Sequence, residues 1–289
     1  MSPWLDAVAG WRARRRLGGA LAYAVLLALL AWLLFPYFWM VTTSLRPSDK
    51  IFTPTPQFLP RPLTLENYVW AFGEETFRRP LWNSAVTATA TALLSVGLSA
   101  IGAYSLARYR YRGKQPLITT LLITQMLPGT LLVLPIFLLI NRIGLYNTYT
   151  GVVLAFTSFT VPYSLVLLRS FFVELPVELE EQAMVDGCSR LRAFVYVVLP
   201  LALPVLAAVM LFDFVWVWND ILWNTTLTRS TDRVGASVAL NNLTTDVRVV
   251  ANWGGILAQG VLITLPIAVI FAFLQRYLVG ALTAGAVKG

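Results

Sequence analysis

Long apolar runs separated by short polar stretches set the pattern of this chain. Six of them, about 18–44, 82–107, 117–140, 150–173, 201–223 and 256–280, are candidates to cross a bilayer. A hydrocarbon core about 30 Å thick takes roughly 20 helical residues to cross. The runs are continuous and rich in Leu and Ala instead of alternating, so they predict helices and not the strands of a barrel. The first run follows Arg12, Arg14, Arg15 and Arg16 and so looks like the start of a signal peptide. Its apolar part is too long and no small-residue cleavage site follows, which makes it an uncleaved first span.

Composition agrees with a membrane protein. Hydrophobic residues are 57% of the 289 and charged residues 12%, against roughly 25% charged in a soluble domain. The net charge of +8 is no nucleic-acid footprint, because the basic residues sit in clusters between the apolar runs. Thirteen of the 22 basic residues fall on one side: the N-terminal arm, the Arg108–Lys114 loop, Arg169, Arg190, Arg192 and the tail. Dense charge in short segments marks the cytoplasmic side, so both termini are expected inside. A single cysteine, Cys188, and no histidine exclude an internal disulfide and a zinc-type site. The Pro-rich loop 45–80 reads as an extended, ordered crossing segment. The Asn- and Thr-rich loop 224–255 is either a solvated connector or a hydrogen-bonding surface for a solute or partner. Pro128, Pro135, Pro162 and Pro204 mark points where helices kink.

The segment 174–200, ELPVELEEQAMVDGCSRLRAFVYVVLP, differs from the other loops. Pro176 suits the first turn of a helix, and Glu178, Glu180 and Glu181 suit the positive end of its dipole. Leu179, Ala183 and Met184 form a small apolar stripe. Asp186-Gly187 is a stop signal, and Ser189 can cap a second helix running through Pro200 into the fifth span. A bilayer-surface helix carries Lys and Arg on its polar face, whereas this one is acidic. It therefore fits a protein partner better than lipid.

These residues resemble the EAA loop of binding-protein-dependent ABC import permeases. The pattern reads Glu181-Gln182-Ala183, then Asp186-Gly187, then Leu199-Pro200, departing from the family only in having Gln182 for Ala. The likeness runs along nearly the whole chain. It includes Phe38-Trp39-Met40, Ser44-Leu45-Arg46-Pro47, Asn83-Ser84, Ala103-Tyr104-Ser105-Leu106-Ala107-Arg108 and Gly144-Leu145. Pro162, Trp218-Asn219-Asp220 and the tail from Gln275-Arg276-Tyr277 to Gly285, Ala286, Val287, Lys288 and Gly289 complete it. In this order the segments are similar to the MalG-like subunit of the carbohydrate-uptake branch.

That resemblance implies an all-α membrane protein with six transmembrane helices in the type I ABC importer (MetI/MalG-like) fold, residues 1–289 forming one transmembrane domain with a coupling helix at 174–200. It implies a bacterial inner-membrane location and four partners: a MalF-like sister permease, a dimer of ATPase subunits, an extracytoplasmic solute-binding protein and a sugar of the disaccharide or oligosaccharide class, maltose or trehalose among them. Glu181, Gln182, Ala183, Asp186, Gly187, Leu199 and Pro200 would couple to the ATPase, and Gly285, Lys288 and Gly289 would reach it from the tail. The chain carries no G-x-x-x-x-G-K-[ST] motif, so ATP and Mg are expected on the partner, with no cofactor bound here and no enzymatic activity.

Polar residues within the spans are costly and so mark candidates for the pathway. Asp213 lies in the fifth run, with Trp218, Asn219 and Asp220 near its end. They are candidates for solute contact, and Asp213 is above all a candidate to bond a neighbouring helix or the sister subunit. Glycerol 3-phosphate is the nearest alternative cargo, but its phosphate calls for Arg or Lys in the interiors of spans two to six, and the two within their bounds, Arg169 and Arg276, lie close to the ends. A stand-alone secondary transporter leaves the acidic helix unexplained, and no internal repeat supports one.

Overall fold

A computed structural model describes residues 3–54, 57–245 and 252–286, with side chains outside 3–17, 245 and 278–286. Every regular element among them is helical. The succession is α1 (Pro3–Ser44), a 3-10 turn (Ser48–Lys50), α2 (Glu66–Gly73), α3 (Glu75–Arg108), α4 (Lys114–Met126), α5 (Gly129–Arg142), α6 (Tyr149–Glu174), α7 (Glu178–Val185), α8 (Arg190–Ala193), a π-helical turn (Phe194–Val198), α9 (Leu199–Asn219), α10 (Leu222–Leu227), α11 (Ala236–Thr245) and α12 (Trp253–Ala286).

Among the described residues, five stretches are long and apolar enough to cross a membrane: 18–44, 75–108, 149–174, 190–219 and 253–277. The third run does not form one straight span. It is α4 and α5, bent by 107° at Leu127–Pro128, because Pro128 has no N–H to continue the ladder and its ring excludes helical geometry at Leu127. The fifth span starts earlier and stops sooner than the hydropathy suggested, since Asp220 is extended after Asn219. Both long loops contain helix: α2 and the start of α3 in one, α10 and α11 in the other.

The chain divides into two compact units. The smaller comprises residues 1–70 and 252–261. Beside its Pro-rich stretch the Asn67 amide donates to the carbonyls of Ser44 (2.9 Å) and Arg46 (2.7 Å). Gly254 lies so close to Asn67 that a Cβ there would sit 2.5 Å from its side chain.

The larger unit, 71–251 and 262–289, is built on α3. Residues Ser84, Thr87, Ala88, Thr91, Ala92, Ser95, Val96, Ser99 and Ala100 are buried at alternating steps of three and one, two adjoining i, i+4 rows on one face of a helix. Most are small, which lets two backbones approach where lipid gives no hydrophobic drive to associate. Helix α6 packs along this face in the same direction, with Ser99 donating to the Val161 carbonyl (3.2 Å), and α9 returns antiparallel. Val96, Ala100, Ala103, Tyr104, Leu168, Phe172, Phe194, Val198, Ala202 and Val209 form the core between the three.

Ala88 is fully buried on this seam. Ala88→Leu is expected to cost about 1–3 kcal/mol by overpacking, read as a lower unfolding midpoint in detergent; an unchanged midpoint would show that the seam is loose.

Candidate functional site

The acidic segment folds as a tethered hairpin at the Arg108 end of α3. Leu175 is extended before Pro176 and ends α6. Pro176 therefore stands outside α7, two residues before Glu178, and not in its first turn. The three glutamates of that turn then part company. Glu178 and Glu181 are exposed, whereas Glu180 is buried. The Tyr104 hydroxyl donates to one Glu180 oxygen at 2.7 Å and the Arg108 guanidinium pairs with the other. Arg108 also donates to the Leu175 carbonyl at 2.9 Å, tying both ends of the α6–α7 connection to α3.

Glu180 thus replaces Leu179 in the inward stripe, with Ala183 and Met184 half-buried beside it and Leu179 exposed. Residues 180, 183, 184 and 187 have helical spacing, so the stripe was available to sequence reasoning. A hydrophobicity criterion passes over it because its first member is charged. Tyr104 is itself fixed by rings, with Phe194 at 4.4 Å between centroids and Phe172 edge-on at 6.2 Å.

The stop at Gly187 is a Schellman cap. Gly187 has φ +93°, its N–H donates to Met184, and the Cys188 N–H donates to Ala183. The Ser189 hydroxyl then accepts from the Arg192 N–H and opens α8. Between α8 and α9 the helix widens to a π turn, with the Leu199 N–H bonded to the Phe194 carbonyl. Pro200 follows at the start of α9; it has no N–H to give Tyr196, and the wider turn accommodates its ring.

The outward face of this hairpin carries Glu178, Glu181, Gln182, Val185 and Asp186, which surround a shallow depression. Val185 is 87% exposed, an apolar knob within an acidic rim. Of the EAA-loop residues, Glu181, Gln182 and Asp186 share this face. Ala183 lies on the half-buried side, Gly187 makes the turn, and Leu199 and Pro200 stand at the mouth of α9.

The four polar candidates of the fifth span do not converge. Asp213 is buried and both its oxygens accept from the Ser164 hydroxyl of α6, at 3.0 and 2.9 Å; Ser95 of α3 donates to Ser164 in turn. Its neighbouring-helix role is therefore met within the chain. Trp218 is buried, donates to the Ile263 carbonyl at 3.2 Å and stacks on Phe214. Asn219 bonds back to Val215 of its own helix. Asp220 accepts from the N–H groups of Trp223 (2.8 Å) and Asn224 (3.1 Å), so it caps the first turn of α10. Burial pushes the Asp220 carboxyl above the ordinary carboxylate range, and those two N–H groups draw it back.

The Asn- and Thr-rich loop is bound to the Asn83 end of α3. The Asn83 amide donates to the carbonyls of Asp232 and Val234, and the Tyr149 hydroxyl donates to Asn83. The Ser84 hydroxyl accepts from the Ala236 N–H, and Asn224 from the Gly235 N–H. Arg233 covers the Tyr149 ring at 4.5 Å. Much of the loop's polarity is therefore internal, which sequence composition could not separate from a solvated connector. In the tail, Gly285 belongs to the last turn of α12, and Lys288 and Gly289 lie outside the described residues.

The chain is similar to known proteins along most of its length. Residues 95–283 match the model of the binding-protein-dependent transport system inner membrane component family. The trehalose transport system permease protein SugB of Mycobacterium tuberculosis is 35% identical over 89% of this chain and 93% of its own. The trehalose/maltose transport system permease protein MalG of Thermococcus litoralis is 33% identical over 92% and 95%. The diacetylchitobiose uptake system permease protein DasC of Streptomyces coelicolor is 32% identical over 89% and 92%. Among solved structures, a bacterial ABC transporter involved in alginate import superimposes with a TM-score of 0.79 at 22% identity, over 91% of this chain and 97% of its own.

Arg108→Met leaves the Glu180 carboxylate buried without its partner, a loss of about 3–5 kcal/mol. Amide exchange in residues 178–187 is expected to speed up by orders of magnitude while the middle of α6 stays protected. The double variant Arg108→Met/Glu180→Leu should restore slow exchange. Fast exchange in the double variant would mean that the tether is not what holds α7.

Proposed function

Because this chain belongs to the family of binding-protein-dependent transport system inner membrane components, we propose that it is the permease subunit of a sugar importer in which α7 is the lever worked by a separate ATPase. The observation that carries this reading is the division of α7 into a buried, ion-paired side and an outward acidic side. A helix of eight residues has little stability of its own. The Glu180–Arg108–Tyr104 tie makes it a rigid extension of α3. A push on Glu181, Gln182 or Asp186 then moves the longest buried helix of the larger unit instead of merely bending a loop. The acidic rim around Val185 suits a basic cleft with an apolar floor.

In this reading α7 faces the cytoplasm, as the basic clusters indicate, and both termini lie on that side. The opposite end of α3, where Asn83 and Ser84 organise the 224–245 segment, faces the solute-binding protein. The apolar side chains of α1 from Leu21 to Phe38 are exposed along its length and meet lipid or the sister permease. ATP hydrolysis belongs to the partner in this reading, which is supported by the lack of a G-x-x-x-x-G-K-[ST] motif in this sequence. A neutral oligosaccharide or disaccharide is the cargo favoured by the names of the relatives and by spans whose Arg and Lys residues stay near their ends.

Gly187→Pro removes the cap geometry, and Glu181→Lys reverses the charge of the exposed face. Both variants are expected to insert normally and to lower uptake of radiolabelled trehalose or maltose by about tenfold or more, the consequence of losing about 1.4 kcal/mol or more of coupling. Wild-type uptake by membranes holding normal amounts of either variant would refute the lever.

A further inference from the structure

Between α3 and the α8–α9 segment lies a cavity of about 640 Å³ that the lever does not use. Its floor is packed, since Val96, Ala100, Tyr104 and Phe194 belong to the buried core. Its rim is open, with Ile101 64%, Leu191 72% and Val195 42% exposed. The two walls run antiparallel, so the cavity is a groove from Val96 and Leu206 inside the span to Tyr109 and Arg190 at its end. Gly97 lies in its wall, and a Cβ there would meet nothing within 4 Å. The gap is therefore not a close approach of two backbones. It is empty space with an apolar lining.

The end of the groove is different. The Arg190 guanidinium lies 5.3 Å from the centre of the Tyr109 ring, and the Lys114 ammonium donates to the Tyr109 carbonyl at 3.1 Å. Two cations meet at one residue, and among the described residues neither is in an ion pair. The acid beside them, Glu180, is already taken by Arg108 and Tyr104. Positive charge in a short loop serves topology without any groove. An apolar slot that ends at two unpaired cations calls for an anion with a chain attached.

The dimensions select the occupant. Val96 to Tyr109 is about 20 Å of helix. The volume spread over that length leaves a cross-section of about 30 Å², whereas a helix 10–12 Å across occupies about 80–110 Å². A neighbouring helix cannot enter the groove, but a single acyl chain can.

We propose that this groove is a site for an anionic phospholipid of the leaflet on the α7 side. One acyl chain lies along Gly97, Ile101 and Leu206, and the phosphate sits on Arg190 and Lys114. Basic pockets between spans on the cytoplasmic side suit anionic head groups in this way. A zwitterionic lipid would bring a third cation up against these two. A soluble phosphate would satisfy the cations and leave the apolar wall to water, which is unfavourable. The site requires only that the chain spans a membrane, so it stands apart from the importer reading.

The test is photo-cross-linking of the full chain, extracted with any subunits that accompany it and reconstituted in phosphatidylcholine vesicles. The probe is phosphatidylglycerol or phosphatidylcholine with a diazirine in the acyl chain, and adducts are mapped by mass spectrometry. Adducts on the floor residues Ala100, Tyr104 and Phe194 report the groove, and those on exposed α1 report bulk lipid. The phosphatidylglycerol probe is expected to label the floor severalfold more than the phosphatidylcholine probe, relative to α1. Gly97→Leu fills the slot and should abolish floor adducts while α1 adducts persist; Gly97→Ala leaves it open and should match wild type. Arg190→Gln is expected to lower floor labelling about fivefold, the scale of one basic residue at an anionic surface, and Arg190→Lys to restore it. Equal labelling of the floor by the two probes would overturn the site. So would wild-type labelling in Gly97→Leu, or α1 adducts with none on the floor, the result expected if a partner subunit covers the groove.

Discussion

A buried carboxylate at the end of a membrane helix is expensive unless it is paired, and Glu180 is paired on both oxygens. Arg108 and Tyr104 project from the last turns of α3, one helical turn apart, and close on a single side chain of α7. Breaking such a pair costs more than the pair contributes, because the remaining charge stays buried. The geometry of the hairpin follows from this. With Glu180 inward, Ala183 and Met184 must also turn inward, and Glu178, Glu181, Gln182 and Asp186 are left facing out. The Schellman cap at Gly187 and the Ser189 cap then fix the angle at which the chain turns into α8.

Along α3 the same economy of polar groups continues. Small hydroxyl residues keep the α3–α6 seam narrow, and where a charge does enter the bundle, at Asp213, a serine on the facing helix is placed to receive it. At the far end Asn83 and Ser84 satisfy backbone groups of the 224–245 segment. One helix therefore carries the acidic hairpin at one end, the packing seam in its middle and the polar loop at its other end. A displacement applied to α7 has a direct path along it.

Much of this was legible in the sequence, and the exceptions share a cause. Hydropathy located the apolar runs because lipid demands length and composition alone. The turn at Gly187 and the cap at Ser189 were legible because they depend on local backbone geometry. Pairing between distant residues was not. Glu180 reads like its neighbours Glu178 and Glu181 until Arg108 is brought to it from 72 positions away. Trp218, Asn219 and Asp220 look like a solute-binding cluster in the sequence. The structure spends them on Ile263, Val215 and the α10 cap, since Asp220 starts a turn where hydropathy continued the helix. The bend at Pro128 was foreshadowed by a proline, but a proline alone does not distinguish a kink from a 107° break.

The central claim is that the outer face of α7 meets the ATPase. The most direct measurement is cysteine cross-linking from Val185, the exposed knob at the centre of that face. With Cys188, the chain's single cysteine, changed to Ser, Val185→Cys leaves one reactive thiol. A short bismaleimide applied to isolated membranes should join it to the ATPase subunit, with Leu26→Cys on exposed α1 as the control that does not. A cross-link from Val185 alone is the expected result. No product from Val185, or the same product from Leu26, would contradict the account.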